Sequence, residues 1–196
     1  MNKFIFVLFA SFINFYVINA QEYEHVDTIC VAEDVINWSN GDSYEGDLIN
    51  GIMEGKGTYT WANGIKYVGQ WRNGKRHGFG TQYYPEQGKY IGNWINDKAE
   101  GYGVMYYNGN TYIGEWKDFK FNGLGIYEQS NGDKYKGSFV NDSYEGEGTL
   151  VRSDGLVYKG SWKRGYYHGY GTLINREGKN ETGYWENGVL VSKKKK

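Results

Sequence analysis

Cysteine, proline and long hydrophobic runs are scarce in this 196-residue sequence. The single cysteine, Cys30, cannot form a disulfide within its own chain, so the fold cannot depend on one. In an oxidising compartment, Cys30 is either buried as a small apolar residue or exposed and paired with another molecule. After the N-terminal segment no helical periodicity extends beyond a few residues, which argues against a helical fold. The 30 glycines and 18% aromatic residues are instead typical of β-hairpins in which rings lie beside glycine.

A tyrosine recurs every 22 or 23 residues between positions 44 and 158. A glycine follows it two residues later and a large apolar residue four residues later, so all three lie on one face of a predicted strand. The glycine leaves a flat gap that a ring from a neighbouring strand can cover. The residues that define this strand are Tyr44, Gly46 and Leu48; Tyr67, Gly69 and Trp71; Tyr90, Gly92 and Trp94; Tyr112, Gly114 and Trp116; Tyr135, Gly137 and Phe139; and Tyr158, Gly160 and Trp162.

A Gly-x-Gly sequence begins eleven residues after each tyrosine and introduces a second strand rich in β-branched and aromatic residues. Polar tips, many of them Asn-Gly or Asp-Gly, separate the halves and the repeats, and such dipeptides are strong turn signals. The sequence therefore predicts an all-β fold, a single-layer twisted antiparallel sheet of stacked β-hairpins. We expect six repeats, starting at positions 44, 67, 90, 112, 135 and 158, in an array over residues 35–192 with partial capping repeats at both ends.

This pattern resembles the MORN (membrane occupation and recognition nexus) repeat, whose motif Tyr-x-Gly-x-Trp-x-x-Gly-x-x-x-Gly-x-Gly is matched most fully from Tyr67 through Gly80. The resemblance covers residues 35–190 and implies β-hairpins laid side by side in one long sheet, which the spacing also predicts. The departures are local. Leu48 and Phe139 replace the tryptophan, and Asp97, Phe119 and Asp142 replace the glycine of the hairpin tip.

The N-terminal residues 1–20 are predicted to be a signal peptide. Lys3 is followed by an apolar run that ends at Ile18, and the small residue Ala20 precedes a polar stretch. We therefore expect a protein of the secretory pathway or the extracellular space. The alternative is an uncleaved leader that anchors the chain in a membrane, although the run is shorter than the roughly 20 residues of a spanning helix. Residues 21–34 form an acidic lead-in, and residues 193–196 form a basic tail.

Three Asn-x-Ser/Thr sequences are candidate glycosylation sites, at Asn37, Asn141 and Asn180. Asn141 is predicted to lie in a hairpin tip and Asn180 in a turn between repeats, both accessible positions. Asn37 is predicted to lie in the capping strand, where a glycan fits less well. If the chain is secreted, we expect Asn141 to be glycosylated more fully than Asn37.

The sequence predicts no catalytic, cofactor-binding or metal-binding residues. The Gly-x-Gly pairs never continue to the third glycine of a nucleotide-binding loop, and no helix follows them. His77 and His168 stand four repeats apart, too far to share a metal ion, and are expected to be solvent-facing tip residues. Glu145 and Glu147 resemble a pair of catalytic carboxylates, but a single-layer sheet offers no enclosed cleft around them. We therefore expect a protein that is not an enzyme and needs no cofactor.

The predicted function is a non-enzymatic scaffold for protein–protein interaction or assembly. Its partner is an unidentified protein or a second copy of the chain, bound by whichever aromatic residues do not cover the glycines of the sheet. The family name implies the alternative, binding to phospholipid at a membrane surface. Without Lys3 and the four lysines of the tail, the 22 Lys/Arg leave 17 against 23 Asp/Glu, a net charge of −6. This charge, with basic clusters only at Arg72/Lys75/Arg76 and Lys163/Arg164, disfavours both anionic lipid and nucleic acid.

Overall fold

The computed structural model describes residues 34–193, which form one antiparallel sheet of fifteen strands and its turns. The predicted signal peptide, residues 21–33 with Cys30, and residues 194–196 lie outside the described part. The strands are β1 (Asp34–Asn37), β2 (Ser43–Ile49), β3 (Ile52–Thr60), β4 (Lys66–Arg72), β5 (Lys75–Tyr84), β6 (Gly88–Ile95), β7 (Lys98–Tyr107), β8 (Asn110–Lys117), β9 (Lys120–Glu128), β10 (Lys134–Val140), β11 (Ser143–Val151), β12 (Val157–Lys163), β13 (Tyr166–Ile174), β14 (Asn180–Glu186) and β15 (Val189–Lys193).

Each strand pairs with the strands before and after it in sequence, so the sheet has no crossover connection. The predicted all-β sheet of stacked hairpins is confirmed. Each of the six repeats supplies one hairpin, from β2–β3 to β12–β13. In residues 34–193 no helix has the length and apolar character needed to cross a membrane.

The hairpin tips are two-residue turns in which both residues have positive φ, such as Asn73 at 49° and Gly74 at 72°. Turns of this kind match the twist of the flanking strands and favour Asn-Gly. The fourth tip departs from this chemistry, because Asp118 has a φ of 50° and Phe119 a φ of 63°. A bulky residue rarely adopts this conformation. The Phe119 ring lies edge-on to Trp94 at 5.8 Å, and this contact offsets part of the backbone strain.

The Gly-x-Gly sequence opens a bulge in the second strand of each hairpin. In β5, Gly80 pairs with Gly69 and His77 pairs with Gln70, so the two residues between them have no backbone partner in β4. The first glycine, Gly78, has a φ of 61°, which favours glycine. The N–H of the middle residue, Phe79, donates to the side-chain oxygen Oε1 of Gln70 at 2.9 Å. The bulge is therefore satisfied internally and turns Phe79 outward.

Backbone hydrogen bonds also join each repeat to the next along the edge formed by the hairpin tips. The N–H of Gly74 donates to the carbonyl of Met53 at 2.9 Å, and the N–H of Gly165 donates to Tyr144 at 3.0 Å. The stacking of neighbours that holds a repeat array together thus includes a hydrogen-bond ladder outside the strands.

Candidate interaction surfaces

One face of the sheet, here called the front face, carries the repeat tyrosines, and each ring lies flat over a pair of glycines. A Cβ added at Gly80 would lie 2.3 Å from the Tyr67 hydroxyl oxygen, and one at Gly69 would lie 2.5 Å from it. The hydroxyl donates to the carbonyl of Gln70 at 3.0 Å. The ring therefore covers a glycine of its own strand as well as one of the neighbouring strand, and both positions exclude a side chain.

The tryptophans stand edge-on between successive tyrosines. The Trp94 ring lies 5.3 Å from Tyr67 and 5.2 Å from Tyr90, with interplanar angles of 80° and 87°. Its Nε1–H donates to the carbonyl of Gly80 at 3.4 Å. Edge-to-face pairs of this kind stabilise beyond their buried area. We call the resulting row the aromatic ladder, and its buried members are Tyr44, Tyr67, Trp71, Tyr90, Trp94, Tyr112, Trp116, Tyr135, Phe139, Tyr158, Trp162 and Trp185.

Burial in the ladder has two consequences. It raises the pKa of the Tyr44 hydroxyl to about 12, with smaller contributions from Asp47 and Glu54, and it raises that of Tyr158 to about 12 as well. It also removes the repeat-defining rings from contact with a partner, since each is at most 5% exposed. The rings of the repeat motif therefore form the buried core of the front face, whereas Leu48 of the first repeat is only half-buried.

The residue nine positions after each repeat tyrosine lies in the second strand of the hairpin, and its identity varies along the array. In the last three repeats it is a stacked ring, as for Phe121 on Tyr112 with centroids 3.7 Å apart. Tyr144 and Tyr167 stack in the same way on the tyrosines of their own repeats. Met53, Arg76 and Ala99 occupy the equivalent positions of the first three repeats.

Arg76 places a guanidinium within the aromatic ladder. Its Cζ lies 4.3 Å from the Trp94 ring centroid and 5.7 Å from that of Trp61, and its side chain is 15% exposed. Its Nε–H donates to the Asp97 carboxylate at 3.1 Å, and its Nη1 hydrogen-bonds to Gln82. Sequence reasoning assigned Arg76 to a basic tip cluster. The structure instead pairs its charge with rings and a carboxylate.

A cavity of about 480 Å³ opens on the front face between the fourth and fifth repeats. The spacing of the repeats gave no signal of it. Four aromatic residues line it, Phe121, Tyr127, Phe139 and Tyr144, with the Phe121 ring 5.6 Å from Tyr127 and 5.8 Å from Phe139. The remaining lining residues are Asp142, Ser143 and Gly165.

The opposite face, here called the reverse face, carries the accessible apolar side chains. Its central strands expose Val68, Phe79, Tyr102, Ile113 and Leu124, a set that we call the reverse-face strip. Phe79, Tyr102 and Leu124 are the middle residues of their Gly-x-Gly sequences and are 58%, 68% and 64% exposed. A shallow cavity of about 640 Å³ adjoins the N-terminal end of the strip, with Val68 and Phe79 in its lining.

The three candidate glycosylation sites are all exposed. Asn141 lies in the tip between β10 and β11 with a φ of 48°. Asn37 is the last residue of β1 and pairs with Ser43. Asn180 was expected in a turn, but it is the first residue of β14 and pairs with Ile174. The strand begins earlier because the pairing with β13 continues to that residue.

The histidine prediction was wrong, because His77 and His168 lie within β5 and β13 and are half-buried. Their Nδ1 atoms are buried and have no hydrogen-bond partner in the described residues. The sequence predicted that both lie at hairpin tips. The equivalent residue of the first repeat, Glu54, accepts the backbone N–H of Asn73 in the next tip at 2.7 Å. The histidine side chain is shorter than that of glutamate, and the Nδ1 atoms of His77 and His168 do not make the equivalent hydrogen bond.

The carboxylates at positions 145 and 147 serve separate contacts. Glu145 accepts the backbone N–H of Arg164 at 2.9 Å, and Glu147 accepts the hydroxyl of Ser161. No group of three or more His, Cys, Asp or Glu side chains is arranged to hold a metal ion within residues 34–193.

A model of the MORN repeat family matches residues 44–66, 67–89, 90–111, 112–134, 135–157 and 158–178. No curated protein sequence matches the chain. Among solved structures, the SAS-4 (dCPAP) TCP domain of Drosophila melanogaster, in complex with a proline-rich motif of Ana2 (dSTIL), has 13% identity and a TM-score of 0.45, covering 84% of this chain and 97% of that one. The TCP10 domain of Danio rerio CPAP, in complex with a peptide of Danio rerio STIL, has 12% identity and a TM-score of 0.33, covering 76% and 77%. Neither similarity says what this chain binds.

Proposed function

This chain belongs to the MORN repeat family, and we propose that it is a non-enzymatic scaffold that binds another protein through its reverse-face strip. The observation that carries the proposal is the exposure of five apolar side chains on one face of the sheet, from β4, β5, β7, β8 and β9. Monomeric proteins rarely expose a large contiguous apolar patch, and such patches mark interaction sites. We further propose that the protein acts in the secretory pathway or outside the cell, which rests on the predicted signal peptide.

The aromatic ladder provides stability, and the reverse-face strip is free for binding. The front face uses its rings to cover glycines and to contact one another, so these rings are already buried. The strip does not take part in the aromatic ladder, and its most exposed residues, Phe79, Tyr102 and Leu124, stand on bulges. A sheet held by the ladder keeps them in fixed positions. Binding to them therefore costs little conformational entropy, which favours affinity.

Charge favours protein over lipid as the partner. In the basic cluster at the second hairpin tip, Arg76 is paired with Asp97 and packs in the aromatic ladder. Only Arg72 and Lys75 of this cluster are exposed. Each cation near an anionic membrane contributes about 1 kcal/mol, so two give little. The acidic balance of the chain opposes such binding further.

The test replaces Phe79, Tyr102 and Leu124 together by lysine. Glu147→Lys is the matched control, because Glu147 occupies the middle of its own Gly-x-Gly and lies outside the strip. We expect the triple variant to keep its circular dichroism and lose its partner in affinity capture from the native compartment. Sedimentation velocity shows in parallel whether a second copy is the partner. A protein partner retained equally by the triple variant and the control would refute the role of the strip.

A further inference from the structure

We infer that the front-face cavity between the fourth and fifth repeats binds an arginine side chain of a protein segment that lies against the front face. This inference rests on the proposed scaffold function, but the contact is separate from that of the reverse-face strip, which lies on the opposite face of the sheet. Phe121, Tyr127, Phe139 and Tyr144 give the cavity aromatic walls, and Asp142 adds a carboxylate. Aromatic faces with a nearby carboxylate attract an organic cation, and a planar guanidinium also stacks on rings.

The same chain contains a filled example of this arrangement two repeats earlier. The Arg76 guanidinium lies over Trp94 and donates its Nε–H to the side chain of Asp97 and an Nη2–H to the backbone carbonyl of Asp97 at 2.9 Å. Asp97 stands seven residues after its repeat tyrosine, and Asp142 stands seven residues after Tyr135. The tip carboxylate of the fifth repeat therefore occupies the position that holds a guanidinium in the third.

Two substitutions leave the later site open. Phe121 occupies the position of Arg76 and stacks on Tyr112, so the chain supplies no cation of its own there. Phe139 occupies the position of Trp94 and is a smaller ring than indole. The space that these changes leave is the cavity of about 480 Å³, large enough for a side-chain head group.

The electrostatics of the cavity favour a cation. Asp142 is exposed, and its Oδ1 accepts the N–H of Phe121 at 2.8 Å, while Oδ2 makes no hydrogen bond within the described residues. Asp142 is therefore the charged residue of the cavity lining. No lysine or arginine lines it.

The experiment titrates the isotope-labelled full chain with N-acetyl-arginine methylamide and follows backbone amide resonances by NMR. We expect saturable shifts at Ser143, Tyr144 and Gly165 with a dissociation constant in the millimolar range, as is usual for a single side chain. N-acetyl-citrulline methylamide has nearly the same shape without the charge and should bind about fivefold more weakly or worse. Equal binding of the two probes would refute recognition of a cation.

Two variants locate the binding. Asp142→Asn keeps an oxygen for the N–H of Phe121 and removes the charge, so it should weaken the arginine probe about fivefold. Asp118→Asn is the matched control, because Asp118 is an exposed tip residue outside the cavity. Phe139→Trp should fill the cavity and abolish binding while the fold is retained. Equal weakening by Asp118→Asn, or full binding by Phe139→Trp, would contradict the assignment.

The outcome is separable from that of the proposed function. If affinity capture finds a partner through the reverse-face strip and the arginine probe does not bind, the inference fails and the scaffold function stands. If tetramethylammonium or phosphatidylcholine vesicles bind more tightly than the arginine probe and Asp142→Asn weakens them, the cavity recognises a choline-like group instead. That result would overturn the assignment to arginine.

Discussion

Trp94→Ala should destabilise the array strongly, because Trp94 joins two repeats. The indole is 1% exposed and lies edge-on to Tyr67 and Tyr90, which belong to consecutive repeats. It also contacts the Phe119 ring at 5.8 Å and the Arg76 guanidinium at 4.3 Å. Its removal would leave a cavity in the middle of the aromatic ladder.

The expected loss is about 4 kcal/mol in the free energy of unfolding. Truncation of a buried tryptophan to alanine costs about 3–5 kcal/mol. Trp185→Ala is the comparison, because Trp185 lies in the last hairpin. Its ring centroid is 5.7 Å from those of both Tyr158 and Tyr167. We expect Trp185→Ala to cost about 2 kcal/mol, since a terminal hairpin can fray while the rest stays folded.

Urea unfolding followed by circular dichroism measures both changes. Tyr102→Ala is the control, because Tyr102 is a large aromatic residue on the reverse face whose removal should change stability by at most about 0.5 kcal/mol. Equal losses for Trp94→Ala and Trp185→Ala, or a larger loss for the terminal variant, would refute the coupling of repeats through the ladder.

Further measurements address other parts of the molecule. Gly80→Ala should cost about 2 kcal/mol in thermal unfolding, because its Cβ would meet the Tyr67 hydroxyl oxygen at 2.3 Å. The pKa of Tyr44 is raised from 10.0 to about 12. Burial of the protonated hydroxyl therefore contributes its full stability below pH 10, and this contribution is lost as the pH rises towards 12. An alkaline titration that leaves the free energy of unfolding unchanged would contradict this. Glycopeptide mapping of secreted protein should find Asn141 occupied more than Asn37. Sedimentation with anionic vesicles at physiological salt should find no binding by the chain without its basic tail.

The repeat period made the fold predictable from the sequence. Spacing of two put Tyr67, Gly69 and Trp71 on one face, and Asn73-Gly74 predicted the tip between two strands. These signals are local, because backbone conformation and strand alternation depend on residues close in sequence. Because these local signals were sufficient, the stacked hairpins predicted from the sequence agree with the structure.

The environment of Arg76 could not be predicted in the same way. A cation beside a hairpin tip is normally exposed, and the rings that surround it, Trp61 and Trp94, come from the two flanking repeats. The face on which apolar side chains stay exposed was also beyond the sequence. The bulge that turns Phe79 outward depends on a register shift between β4 and β5, which alternation does not reveal.

The position of each Gly-x-Gly that is free to vary is also exposed on the reverse face. In each Gly-x-Gly, the first glycine adopts positive φ and the second lies under a tyrosine ring, so geometry fixes both. The residue between them is held by its backbone and has no ladder contact to preserve. Along the array this residue is Lys56, Phe79, Tyr102, Leu124, Glu147 and Tyr170. Charged residues therefore bound an apolar centre in one column of the reverse face. A partner that binds the apolar centre of this column should present apolar side chains to Phe79, Tyr102 and Leu124, as in the core of a protein interface.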